Sequence, residues 1–211
     1  MDLLTIFSGM AENVLEAIPG DAAKLLVQGV LARRRNAAFE ILLQELRRGG
    51  GPLAPSDDAI AAVLRYQRAA DEGAARRNLR LLAMVIAGKA RIGDLKADEF
   101  LYVADMLASL RREEIILLAT MQRIRRAWLG KEGGPSPMQQ WAITEEALIP
   151  RLFPDKQAMR AVVTACLRTG LLSDDNTMDN SGWYETTRYM DELEAMAPFE
   201  AALEEDEPLP R

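Results

Sequence analysis

The sequence predicts a mainly α-helical protein, a helical bundle followed by a small α+β module with one short β-hairpin. Three observations predict it. Apolar residues recur at three- and four-residue spacing through residues 1–130, without strand-like alternation. Helix breakers are concentrated at Gly49-Gly50-Gly51-Pro52 and between Gly130 and Pro137. Only after Gly170 do two apolar or aromatic pieces, Leu171-Leu172 and Trp183-Tyr184, flank a polar turn, as the strands and tip of a hairpin would. With 211 residues, 49% of them hydrophobic, the chain can bury a core without disulfides or metal.

The elements follow in order. MDLLTIFSGMAENVLEAIPG reads as an amphipathic helix closed by Pro19-Gly20. It carries Asp2, Glu12 and Glu16 and no Lys or Arg before Lys24, so it is expected to pack on the body of the protein and not on a membrane surface. A second helix runs from Asp21 to Arg48, its acidic start and basic end complementing the helix dipole. Ser56, with Asp57 and Asp58, caps a third helix expected to reach Gly88, with Gly73 as the one place for a bend. Ile60, Val63, Leu64, Ala70, Ala74, Leu81, Leu82 and Val85 gather on one face of it at 100° per residue. Helices over Ala97–Leu107 and Leu110–Leu129 complete the bundle.

The domain boundaries expected are a bundle over 1–130, a linker over 131–137, a module over 138–202 and an acidic tail over 203–211. Charge supports the division, since residues 1–137 hold 20 Lys+Arg against 17 Asp+Glu while residues 138–211 hold 6 against 15. Within the module, a helix near Thr144–Phe153 precedes KQAMRAVVTACLRTG, then the hairpin LLSDDNTMDNSGWYETT, then a helix over Thr187–Met196. Trp141 with Phe153, and Trp183 with Tyr184, are expected to anchor this module's core, and Trp128 is expected to pack the two halves together.

The order helix, turn, helix and hairpin, clearest in "RTGLL…GWYETT", resembles a winged helix-turn-helix over about 55 residues. The layout of NLRLLAMVIAGKA, then ADEFLYVADMLASLRREEIILLATM, then such a tail is similar to that of bacterial abortive-infection helical proteins. That resemblance implies no catalytic residues to carry over.

Several chemistries are excluded. The chain has no histidine, which removes imidazole acid–base catalysis, Ser-His-Asp and Cys-His nucleophiles and imidazole metal ligands. It has no GxxxxGK[ST] or GxGxxG element, so those routes to nucleotides are absent as well. The single Cys166 cannot form an internal disulfide and suits a reducing, cytoplasmic compartment. It shares an apolar face with Met159, Val162, Val163 and Leu167, which makes it a packing residue. Asp98, Glu99, Asp105, Glu113 and Glu114 are the carboxylates that a metal-dependent enzyme would use. No ExxE or ExxD partner stands on a neighbouring helix, and they read instead as residues of helix N-termini. No catalytic residue and no cofactor is therefore expected.

What remains is binding. On the long third helix Arg65, Arg68, Arg76 and Arg80 fall within about 120° and could track phosphates, although Glu72 interrupts them as an ion-pair partner. In the module, Lys156, Arg160 and Arg168 would face nucleic acid, but Asp174, Asp175 and Asp179 occupy the wing and would repel phosphate. The small-residue seam Ala69, Ala70, Gly73 and Ala74 permits a close partner helix, or equally the internal bundle. The acidic end EAALEEDEPLPR reads as a solvating tail that could also shield a basic patch of its own protein. The reading is thus a bacterial interaction protein, non-catalytic, whose partner is a protein or a second copy of itself. A DNA-binding regulator is the alternative and a carboxylate-metal enzyme the third; no membrane contact is expected.

Overall fold

Ser56 illustrates how the helices are set. Its hydroxyl accepts the Ala59 N–H at 3.1 Å and starts a helix over Asp57–Glu72. In the computed structural model, which describes residues 21–49, 53–129, 131, 133–175 and 182–203, this is the second helix, α2. The expected opening helix with its Pro19-Gly20 end, most of the Gly49-Gly50-Gly51-Pro52 stop, the tip of the hairpin and residues 204–211 lie outside the described residues.

α1 spans Asp21–Gly49, with Arg47 and Arg48 in its last turn. α3 spans Arg76–Ile92 and α4 Ala97–Ser109. These four helices form one compact unit, Met1–Ser109, in which α1 packs on α2 and α3, and α4 on α2 and α3. The single helix expected from Ser56 to Gly88 is two helices. Gly73 takes φ 90°, its N–H bonds to the Ala70 carbonyl at 3.1 Å, and the Ala74 N–H bonds to Ala69 at 2.9 Å. This left-handed cap ends α2, because only glycine reaches that conformation without a side-chain clash. α3 then begins afresh and supplies the centre of the unit, with Leu79 and every residue from Leu81 to Ala87 buried.

Polar side chains tie this core together. Tyr66, fully buried, donates its hydroxyl to the Ala38 carbonyl at 2.7 Å, and Asn78 Nδ2 donates to the Leu107 carbonyl at 2.7 Å. Arg80 meets Glu45 at 3.1 Å, and Arg35 meets Asp71 through two parallel bonds at 2.8 and 2.9 Å.

The second unit, Leu110–Arg211, is built around α5, Arg112–Trp128. The Glu114 carboxylate accepts the Arg111 N–H at 2.7 Å at its start, and Glu114 through Gln122 are all buried. Around it stand α6 (Pro137–Leu148), α7 (Lys156–Arg168), the antiparallel pair β1 (Leu172–Asp175) and β2 (Trp183–Thr186), α8 (Arg188–Met196) and α9 (Phe199–Leu203). β1 and β2 pair with Leu172 opposite Thr186 and Asp175 opposite Trp183. α5 packs on α6, α7, α9 and β2. The chain therefore divides between 109 and 110, and not at 131–137, because the buried face of α5 is shared with the elements that follow it.

Two further boundaries differ from expectation. α6 begins at Pro137 and ends at Leu148, where a helix near Thr144–Phe153 was expected. Ser136 and Gln139 form a reciprocal capping box, Gln139 N–H to Ser136 Oγ at 3.3 Å and Ser136 N–H to Gln139 Oε1 at 2.8 Å, and proline at the first helical position suits a start, not a break. At the other end, Leu203 does not belong to a solvating tail. Phe199, Ala202 and Leu203 are buried, giving α9 an apolar face on α5.

Glu194 holds that last turn in place, its Oε2 accepting the Phe199 N–H at 3.0 Å. Burial raises its pKa above the ordinary 4.5, partly opposed by the Phe199 bond and by Arg126. A carboxyl that binds its proton more tightly when folded favours the folded state at low pH, and that contribution is lost as pH rises through the folded pKa. Stability is thus expected to fall as pH rises from about 4.5 towards neutrality. In Glu194→Gln that part of the slope should vanish, and chemical denaturation at stepped pH checks it. An identical slope in the variant would refute the assignment.

Candidate functional site

The second unit exposes one row of cations. Asp155 caps α7 by accepting the Ala158 N–H at 2.8 Å, and Met159, Val163 and Cys166 turn inwards. The opposite face is then set by helical spacing, and Lys156, Arg160, Thr164 and Arg168 are all exposed along it. Lys156 pairs with Glu145 at 2.7 Å, and Thr164 donates its hydroxyl back to the Arg160 carbonyl at 2.9 Å. Asp174, on β1, is exposed; Asp179 lies outside the described residues. Cys166 is fully buried, and burial, with Glu114 second, pushes its thiol up to about 12. At neutral pH it is protonated and has no nucleophilic character.

The arginines of the first unit do not form the expected stripe. The break at Gly73 separates Arg65 and Arg68 on α2 from Arg76 and Arg80 on α3, so a single 100° rotation no longer relates them. Arg65 pairs with Asp105 at 2.7 Å, Arg68 with Glu72 at 2.8 Å, and Arg80 is buried against Glu45; Arg76 is exposed at the start of α3. Nor is the small-residue seam open to a partner helix. Ala69 and Ala70 are buried in their own unit, Ala74 is half-buried, and a Cβ on Gly73 would meet the Arg34 guanidinium at 3.3 Å.

The carboxylates considered for metal have other occupations. Asp98 accepts the Glu99 N–H, Glu99 pairs with Lys89 at 2.8 Å and Lys96 at 3.2 Å, and Asp105 is taken by Arg65. Lys89 and Lys96 hold the Glu99 carboxyl below its usual range. Among the described residues no group of three or more His, Cys, Asp or Glu side chains is placed to hold a metal ion.

The aromatic pairing is also rearranged. Trp141 packs against Tyr184, centroids 4.8 Å apart and planes at 73°. Trp183 and Tyr184 are neighbours on one strand and point to opposite faces, so they could not pair with each other. Phe153 is buried as expected. Trp128 is 41% exposed, with the Lys131 ammonium 5.3 Å from its ring.

Sequence reasoning missed the first half of α1. Leu25, Leu26 and Val30 are 68, 74 and 49% exposed. On this helix the buried residues Arg35, Ala38, Ile41, Leu42, Glu45 and Leu46 define one face, and the three apolar side chains lie about 100–140° from its centre. That phase difference is the signal in the sequence that would have found them. Among the described residues no helix is long and apolar enough to cross a membrane. Comparison of the chain with protein-family models, with curated proteins and with solved structures finds no match.

Proposed function

We propose that the protein acts by binding another protein and not by catalysis, and that the occupant of the first half of α1 is a second copy of the chain. The observation that carries this is the exposure of Leu25, Leu26 and Val30 on a regular helix of 29 residues, about 43 Å long. A helical segment without tertiary packing is marginal in water, so an apolar one is stabilised by being covered. Gly29 lies between them with nothing within 4 Å of where a Cβ would stand, which leaves room for a helix axis to approach closely. An antiparallel, two-fold contact centred on Gly29 sets each copy's leucines against the same face of the other. It also keeps the two Arg33 residues about 12 Å apart along the axis, beyond the screening length at physiological salt.

Sedimentation of the full chain over a range of concentrations tests it. The expected mass approaches twice 23.4 kDa, and Leu26→Glu with Val30→Glu should return a monomer of unchanged helicity. A wild-type monomer at every concentration would remove the proposal.

A second reading is favoured by the solvent face of α7, where Lys156, Arg160 and Arg168 stand one or two turns apart. Three phosphate contacts predict duplex DNA binding that weakens by about 40-fold between 50 and 200 mM salt and is lost when the three residues become glutamate. The same protein, assayed alongside its mass, separates the two readings.

A further inference from the structure

The inward face of α1 runs further than the body of its unit follows it. Ala38, Leu42 and Glu45 are buried on that face. At 100° per residue Val27 and Leu31 continue the same stripe, all five lying within about 60°. Yet Val27 and Leu31 are only half-buried, and Val30, about 60° to one side of Val27, is exposed. Among the described residues Arg35 is the first of α1 to be buried. Residues 21–34, about 21 Å of helix, therefore precede the packed part. Gly29 stands on the opposite side of the helix, so a second copy centred on it leaves this stripe uncovered.

A segment of matching length and pattern is joined to it. Leu3, Phe7, Met10, Val14 and Ile18 fall within about 80° at helical spacing, while Asp2, Glu12 and Glu16 fall on the other side. As a helix, residues 3–18 are about 24 Å long, against about 21 Å to be covered. Pro19 and Gly20 both oppose running such a helix straight on into α1. Two residues are enough to join antiparallel helices. A tether that short holds the segment at high local concentration beside the stripe, which favours its own chain over another. Set against each other, the two stripes remove their apolar area from water.

We propose that residues 3–18 fold back antiparallel on the first half of α1 of the same chain and cover Val27, Val30 and Leu31. Across a two-residue turn, positions whose numbers sum to about 40 face each other. Val14 then meets Val27, and Met10 meets Leu31. The contact lies on the side of α1 away from Gly29 and is independent of the contact between copies.

The test is cross-linking of the full chain carrying Val14→Cys and Val27→Cys with a short bismaleimide. The native Cys166 is fully buried and does not compete. A cross-linked single chain is the expected product. With Glu16→Cys in place of Val14→Cys the yield should fall about 10-fold, because that position faces away from α1. No product in a variant of unchanged circular dichroism, equal yields at the two positions, or a covalent dimer as the product overturns the proposal. Sedimentation of the unmodified chain reports on the contact between copies separately.

Discussion

Asp71→Ala is expected to destabilise the protein by about 3 kcal/mol, read as a lower urea midpoint with the denaturant slope unchanged. The reason is the state in which it leaves Arg35. That guanidinium is 10% exposed and donates in parallel to both oxygens of Asp71, itself 24% exposed. Without the carboxylate a nearly buried cation is left uncompensated, and the cost is the desolvation of that charge more than the attraction lost. Partial exposure of Asp71 places the effect at the lower end of what buried pairs show. Replacing the other partner is expected to be milder, since in Arg35→Met the aspartate can turn to solvent while methionine fills the volume. A loss below about 1 kcal/mol for Asp71→Ala would show that the pair behaves as a surface bridge.

Trp141→Ala is expected to cost about 3–5 kcal/mol and to weaken the aromatic near-ultraviolet signal of the second unit. Trp141 is 6% exposed, stands edge-to-face with Tyr184 and forms a wall of a cavity of about 230 Å³ between α5, α6 and β2. Because the neighbouring space is already open, the walls have little to collapse onto, and the removed indole leaves a larger void. Tyr184→Leu keeps most of the apolar area and is expected to cost about 1 kcal/mol, close to the aromatic-pair contribution alone. Thermal and urea unfolding of the two variants measure the difference. Equal losses would mean that the ring contact, and not burial of the indole, is what holds α6 to β2.

The signals that were legible before the fold were those written within a few residues of one another. Ser56, Asp155 and Thr187 each accept the N–H three residues further on, so their helices start where expected. The alternation of turn residues between Leu172 and Trp183 is likewise local, and the hairpin follows it. Misreadings arose where two local signals competed. Pro137 looked like a breaker until Ser136 and Gln139 made it the first residue of a helix. Gly73 could be carried inside a helix at a cost of about 1 kcal/mol, and the left-handed cap shows that the chain used it as a stop.

The candidate surfaces were legible only in part. Lys156, Arg160 and Arg168 could be placed on one face because an isolated helix has a fixed period, and the structure exposes that face. The stripe from Arg65 to Arg80 had the same apparent support and dissolves, because its acidic partners, Asp105 and Glu45, come from helices distant in the chain.

The sequence by itself determined that the chain is helical with one hairpin, that imidazole chemistry is absent, and that Cys166 lies on an apolar face. These depend on composition and on contacts within a helix turn or two. Tertiary structure alone decided that α5 belongs with the second unit, which arginines are paired, that Trp141 meets Tyr184, and that Leu25, Leu26 and Val30 remain exposed. Those outcomes depend on which face of each helix finds an apolar or charged neighbour from a remote segment, and helical periodicity specifies a face without specifying what covers it.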